Sequence, residues 1–185
     1  METTPRIGYD DLPAVVRGRV EPRVARLGYL GEFFQVAAHQ PEALVGFIDF
    51  TEALKSSLDW RLVEAVAFTV AARCENEYEL VQHQRLASKL GMDEAQIRAL
   101  SSGRPEEGDL DSDQLAAVRL AEDVVAARGG SCADSYEALQ REVGVETAVG
   151  CLMTAVRYLA HATMSNTWDL RPPVTASSVM DSAHA

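Results

Sequence analysis

Sulfur is scarce in this chain, and so is positive charge. The three cysteines, Cys74, Cys132 and Cys151, form no C-x-x-C pair and no metal-ligand spacing, so neither a dithiol motif nor a cysteine zinc site can be read from them. An odd count fits a reduced compartment, with each thiol reading as a small core or surface residue. Lys and Arg number 17 against 28 Asp and Glu, for a formal charge of −11. Nucleic-acid binding needs clustered cations along the phosphate backbone and is excluded as an expectation. No run approaches the roughly eighteen apolar residues of a membrane span. The opening METTPRIGYDDLP has no apolar signal core, so a cytoplasmic location is expected. Convincing β alternation is missing too, which leaves helices.

Helical periodicity is what the chain does have. At 185 residues one domain with a real core is expected, an all-α bundle of about seven or eight helices. Residues 1–28, with Pro5, Pro13 and Pro22, read as an N-terminal arm or short helices over the domain. Residues 29–171 read as the helical domain, and 172–185 as a frayed tail. Within the domain, Tyr29 to His39 carries a helical pattern, and Pro41 suits the first turn of the next helix. Ser101 to Asp111 reads as a polar surface loop. The last long helix begins at Val145, with Val149, Leu152, Met153, Val156 and Leu159 as its apolar positions. VEAVAFTVAAR (63–73) and VETAVGCLMTAVR (145–157) echo each other, as a duplicated helical unit or two unrelated core helices would.

Residues 59–91 organise the rest. Leu62 to Ala72 is apolar except for Glu64 and Thr69, and a helix apolar on every side belongs inside a core. An acid placed there must be protonated, paired or hydrogen-bonded. Asp59 is a reasonable N-cap for this helix. Cys74-Glu75-Asn76-Glu77 then interrupts the pattern, and a second helix runs to Gly91, a plausible stop. Glu79 and His83 share a face of that second helix, so an elbow brings Glu64, Glu79 and His83 within possible reach of one another. Each has a plainer reading. Glu64 fits an ion pair with Arg61 or a hydrogen bond to a neighbouring segment. Glu79, three residues after a good N-cap in Asn76, fits a capping box. A metal reading is open as well, since the three make an oxygen and nitrogen ligand set; no second His stands at helical spacing, and no metal is expected. No cofactor motif is present.

The spacing resembles that of the carboxymuconolactone decarboxylase family and its alkylhydroperoxidase-D-like (AhpD-like) relatives. Redox members carry a Glu, a Cys twelve positions on, then x-x-Cys and x-x-x-His. Aligned on His83, those positions are Glu64, Asn76 and Glu79, so the glutamate and histidine are kept and both thiols are absent. Tyr78-Glu79-Leu80-Val81-Gln82-His83 looks like the cysteine-free branch, and Gly91-Met92-Asp93-Glu94 and the Tyr158–Asn166 stretch are similar too. The resemblance implies an AhpD-like bundle and a cofactor-independent, lyase-type acid–base enzyme acting on a small organic acid, lactone or carbonyl compound. His83 would move the proton, Glu64 would relay or hold it, and Glu79 would orient the imidazole. It also implies a homo-oligomer, trimer or hexamer. Two other readings stay open: a binding or scaffold protein, and a thiol peroxidase working through Cys74.

Four further residues are expected to bind substrate. Tyr78 fits a stacking or hydroxyl-donating role, or simple packing. Arg157, Tyr158 and His161 share a face of the last helix, either as a subunit contact or as a pocket wall where Arg157 binds a substrate carboxylate. His39 and His184 are not expected to be catalytic.

Overall fold

The computed structural model describes residues 4–172; the sequence-read tail, with His184, lies outside them apart from its first residue. Nine α-helices make up the described chain. They are α1 (Ala14–Leu27), α2 (Glu32–Ala37), α3 (Pro41–Ser57), α4 (Trp60–Arg73), α5 (Glu77–Leu90), α6 (Glu94–Ser101), α7 (Ser112–Ala127), α8 (Ala133–Val143) and α9 (Val145–Thr167). The protein is all-α, and among the described residues no helix is long and apolar enough to cross a membrane.

The apolar stretch becomes the hub. Every residue from Leu62 to Ala71 in α4 is buried, and α4 packs against α7, α9, α5 and α6. Asp59 caps it as expected, its carboxylate accepting from the Arg61 N–H at 2.8 Å. The core divides into three apolar clusters, two of which include α4. One joins α4, α7, α8 and α9; a second joins α1, α2 and α3 through Val16, Val20, Phe33 and Leu44, with Tyr78 reaching it from α5. The third lies around Phe68, Met92 and Leu100.

Helix α1 runs for 14 residues, with Val16 and Val20 buried, and packs on α3. Pro22 sits inside it, where a missing N–H normally breaks a helix. Here Pro22 and Gly18, whose carbonyl loses that partner, are both exposed, so the carbonyl is open to solvent rather than buried without a partner.

Helix α9 corrects the sequence reading of its core face. Val149, Met153 and Val156 are exposed at 41%, 43% and 52%, and Leu152 and Leu159 are half-buried. The buried face is Ala148, Gly150, Cys151, Thr154, Ala155, Tyr158 and Ala162. Close approach explains the small residues at the start of that face: a Cβ on Gly150 would sit 2.7 Å from Leu58 Cδ2, so a larger side chain there would have to displace Leu58. The larger aliphatic groups are left outside.

Candidate active site

The elbow between α4 and α5 is built from a backbone stop and a side-chain cap. Glu75 adopts a left-handed φ of 51°. Its N–H donates to Ala72 O at 3.1 Å, and the Asn76 N–H donates to Ala71 O at 2.8 Å, the paired bonds of a Schellman stop. Asn76, fully buried, then starts α5: its Oδ1 accepts from the Glu79 N–H at 2.9 Å, while its Nδ2 donates to Ala162 O on α9 at 3.3 Å. One amide therefore caps a helix and ties the elbow to α9. Gly91 closes α5 at φ 87°, the stop expected from the sequence.

Glu79 does not complete a capping box. Its carboxylate turns inward between two imidazoles, with Oε2 lying 3.6 Å from His83 Nε2 and Oε1 lying 3.0 Å from His161 Nδ1. The second contact is short but poorly aligned, and His161 Nδ1 has no well-formed hydrogen bond. Beyond His83 stands Glu64, whose Oε2 is 2.7 Å from His83 Nδ1. Arg61 is not its partner, for that side chain leans to Asp59 at 3.8 Å and over Trp60. The result is a line, Glu64–His83–Glu79–His161, drawn from α4, α5 and α9, with every member at most 6% exposed. The tight bond to His83 comes from Glu64, so Glu64 orients the imidazole in place of Glu79. Among the described residues, no three or more His, Cys, Asp or Glu side chains converge to hold a metal ion.

Electrostatics sorts the line into charges. Burial works against the charged form of His83, but the Glu64 carboxylate, and then Glu79, push its pKa up to about 9. Burial would raise the Glu79 pKa, yet His161 and His83 beside it hold it well below the usual carboxylate range. Burial lowers His161, Glu79 pulls the other way, and Arg157 and His83 add repulsion, leaving it below an ordinary histidine. At neutral pH His83 is thus an imidazolium, Glu79 a carboxylate and His161 neutral.

Aromatic rings fix these groups in place. His83 meets the Tyr158 ring at 5.1 Å, edge on, and the Phe68 ring at 6.0 Å. His161 lies 4.0 Å from Phe33. The Tyr78 hydroxyl accepts from the Phe33 N–H at 3.3 Å; a Cβ on Gly31 would come within 2.8 Å of that oxygen, so the entry to α2 is moulded around it. Burial raises both tyrosines well above the ordinary phenol range, and neither ionises near neutrality.

A cavity of about 140 Å³ opens onto this line. His83, Glu79, Tyr78, Arg157, Tyr158 and His161 all line it. Arg157 is held ready: its Nε donates to Thr51 Oγ1 at 2.8 Å, and its guanidinium lies over Phe47 and Tyr158, 4.7 and 4.4 Å from the ring centres. The α9 trio is therefore a pocket wall. Sequence reasoning did not point to Thr51 and Lys55 on α3 or Arg23 on α1, which also line the cavity. They lie far from the motif in sequence and carry no spacing signal. Glu146, the counterpart of Glu64 in the internal echo, is exposed.

The other sequence candidates lie elsewhere. His39 Nε2 is 3.0 Å from Pro5 O on the surface. The three cysteines are free, none lines the cavity, and burial pushes each thiol's pKa up.

The sequence matches no family model and no curated protein. Solved structures do match. An uncharacterised peroxidase-related protein with an alkylhydroperoxidase AhpD core, from Ralstonia eutropha JMP134, aligns over 91% of this chain and 90% of its own, with 21% identity and a TM-score of 0.76. An uncharacterised peroxidase-related protein from Silicibacter sp. TM1040 aligns over 93% and 92%, at 18% identity and a TM-score of 0.78. The debrominase Bmp8 aligns over 97% of both chains, at 13% identity and a TM-score of 0.80. Identities this low speak for architecture alone, and on that ground the chain has the AhpD-like fold.

Proposed function

We propose that the cavity is the active site of a cofactor-independent acid–base enzyme of the carboxymuconolactone decarboxylase type, working on a small organic acid or carbonyl compound. The observation that carries this reading is an imidazolium, His83, clamped at Nδ1 by Glu64 while it lines the same cavity as Arg157. The 3.6 Å gap between His83 Nε2 and Glu79 exceeds a hydrogen bond and leaves that N–H for a substrate. Arg157, with only its Nε engaged, offers a fork to a carboxylate that the substrate retains.

In decarboxylation, the bond between the leaving carboxylate and its neighbouring carbon breaks and carbon dioxide departs. The electron pair stays behind, delocalised into an adjacent carbonyl as an enolate. His83 gives its Nε2 proton to that carbon and regains one from solvent. Isomerisation or lactone opening would use the same donor. Thiol peroxidase chemistry draws no support, since it needs a stabilised thiolate and no cysteine reaches the cavity.

The test is turnover on a panel of β-keto acids and carboxylated lactones, followed by carbon dioxide release and proton NMR. His83→Gln should cut the rate by about a hundredfold or more while ligand affinity holds. Affinity with no rate in either protein would instead identify a binding protein. The exposed row Val145, Val149, Met153 and Val156 supports a second proposal, that another copy of the chain covers α9. Light scattering of Val149→Glu/Val156→Glu should then show a smaller particle.

A further inference from the structure

Cations are few in this protein, yet six of them line one cavity: Arg23, Arg26, Lys55, Arg85, Lys89 and Arg157. Among the described residues the only carboxylate lining it is that of Glu79, already turned to the histidines. Arg23 has a partner, Glu52 at 2.7 Å. Among the described residues the other five have no carboxylate within ion-pair distance, whereas most basic side chains elsewhere do, Arg19 with Asp49 at 2.9 Å and Arg104 with Glu107 at 3.0 Å among them. Among the described residues nine basic side chains lack such a partner, and five of the nine line this one opening.

The arrangement has two tiers. In the depth, Arg157 and Lys55 are half-buried; burial and Arg157 both depress the Lys55 pKa, so the two cations repel each other. At the rim, Arg26 and Lys89 are exposed and Arg85 is half-buried. The Arg85 Nη1 donates to the Tyr29 hydroxyl at 3.5 Å, a long bond that leaves its other nitrogens unused. Arg85 and Lys89 lie one turn apart on α5, and Arg23 and Arg26 one turn apart on α1, where like charges cost stability. Glu52 offsets part of that cost at Arg23, and an anion in the opening would offset the rest.

We propose that the cavity takes a substrate with two anionic ends: one group on Arg157 in the depth, and a phosphate group between Arg26, Arg85 and Lys89 at the rim. A lone carboxylate in so hydrated a place gains little from three cations. A phosphate dianion presents three acceptor oxygens and matches them. The cluster would also draw such an anion in against the net negative charge of the chain. The proposal extends the acid–base reading by naming the far end of its substrate.

Isothermal titration calorimetry with ω-phosphonocarboxylates of increasing chain length tests it, against the matched dicarboxylates. One phosphonate length should bind about tenfold tighter than its dicarboxylate counterpart. Arg85→Gln/Lys89→Gln, which alters side chains outside the core, should erase that advantage and leave dicarboxylate affinity within about twofold. Arg157→Gln should weaken both series. Equal affinity for the two series, an advantage that survives the rim variant, or a loss equally produced by Arg98→Gln/Arg128→Gln away from the cavity overturns the proposal. Binding is read without turnover, so the two readings fail separately. Tight phosphonate binding with no proton-transfer rate would sink only the acid–base reading, and turnover of small acids with indifference to phosphonates would sink only this one.

Discussion

His83 and His161 are near twins in their surroundings and opposites in their chemistry. Both are about 5–6% exposed, both stand beside aromatic rings, and both touch Glu79. One is held protonated up to about pH 9; the other is pushed below an ordinary imidazole. The difference lies in what stands on the far side of each ring. His83 has Glu64 at 2.7 Å, whereas His161 has Phe33 at 4.0 Å and the repulsion of Arg157. A single shared carboxylate cannot charge two buried imidazoles; the second acid decides which one carries the proton.

The strongest way to break this asymmetry is to remove that acid's charge. Glu64→Gln keeps an oxygen for the His83 Nδ1–H but loses the attraction, so the His83 pKa should fall steeply toward that of His161. Proton NMR of the imidazoles would record it, and the alkaline limit of any pH–rate profile should move down with it. A weaker effect is expected from Glu79→Gln. Glu64 is the larger influence on His83, so its pKa should drop less, and His161 should lose the attraction of Glu79 and fall further. An equal or greater drop than in Glu64→Gln would mean that the shared acid, and not the private one, sets the difference.

Melting temperature against pH sharpens the comparison without mutation. His83 is raised on folding, so its contribution is complete below an ordinary histidine pKa of about 6.5 and is lost as pH rises through about 9. His161 is lowered, so it destabilises the fold as pH falls below that same ordinary value and stops doing so above it. Glu79, lowered on folding, contributes above the ordinary carboxylate range and is lost only in strong acid. Stability should therefore climb through pH 6 and decline through about 9. The smallest effect is reserved for the elbow. Glu75→Gly relieves a left-handed residue and should change stability by less than about 1 kcal/mol, leaving both imidazole titrations where they were.

Half of this asymmetry could be read in the chain. Glu64, Glu79 and His83 were legible because helical periodicity carries them: a charge inside an apolar run, and two groups one turn apart. Asp59, Asn76 and Gly91 were legible as caps because helix ends demand particular residue types. Which acid holds His83 was not, since helical spacing favours the neighbour one turn away and says nothing of a side chain arriving from another helix. His161 was placed on the correct face of α9, but its pairing with Glu79 spans helices that only folding brings together. The bulky positions of α9 misled because hydrophobicity ranks side chains by affinity for a core, whereas a close crossing selects them by size. The basic rim was not legible as a site: Arg85 and Lys89 share a face of α5, but Arg26 comes from α1, and only folding brings the two helices to one opening.

Position 79 has a wider meaning. In the thiol-bearing proteins that this stretch resembles, sulfur stands there. In this chain that spot lies between two imidazoles at the start of a helix, a field that presses any acidic group into its anionic form. A thiol installed at the same place would be driven toward thiolate by the forces that keep the carboxylate ionised. A thiol and a carboxylate would therefore be two tenants of one electrostatic niche at position 79.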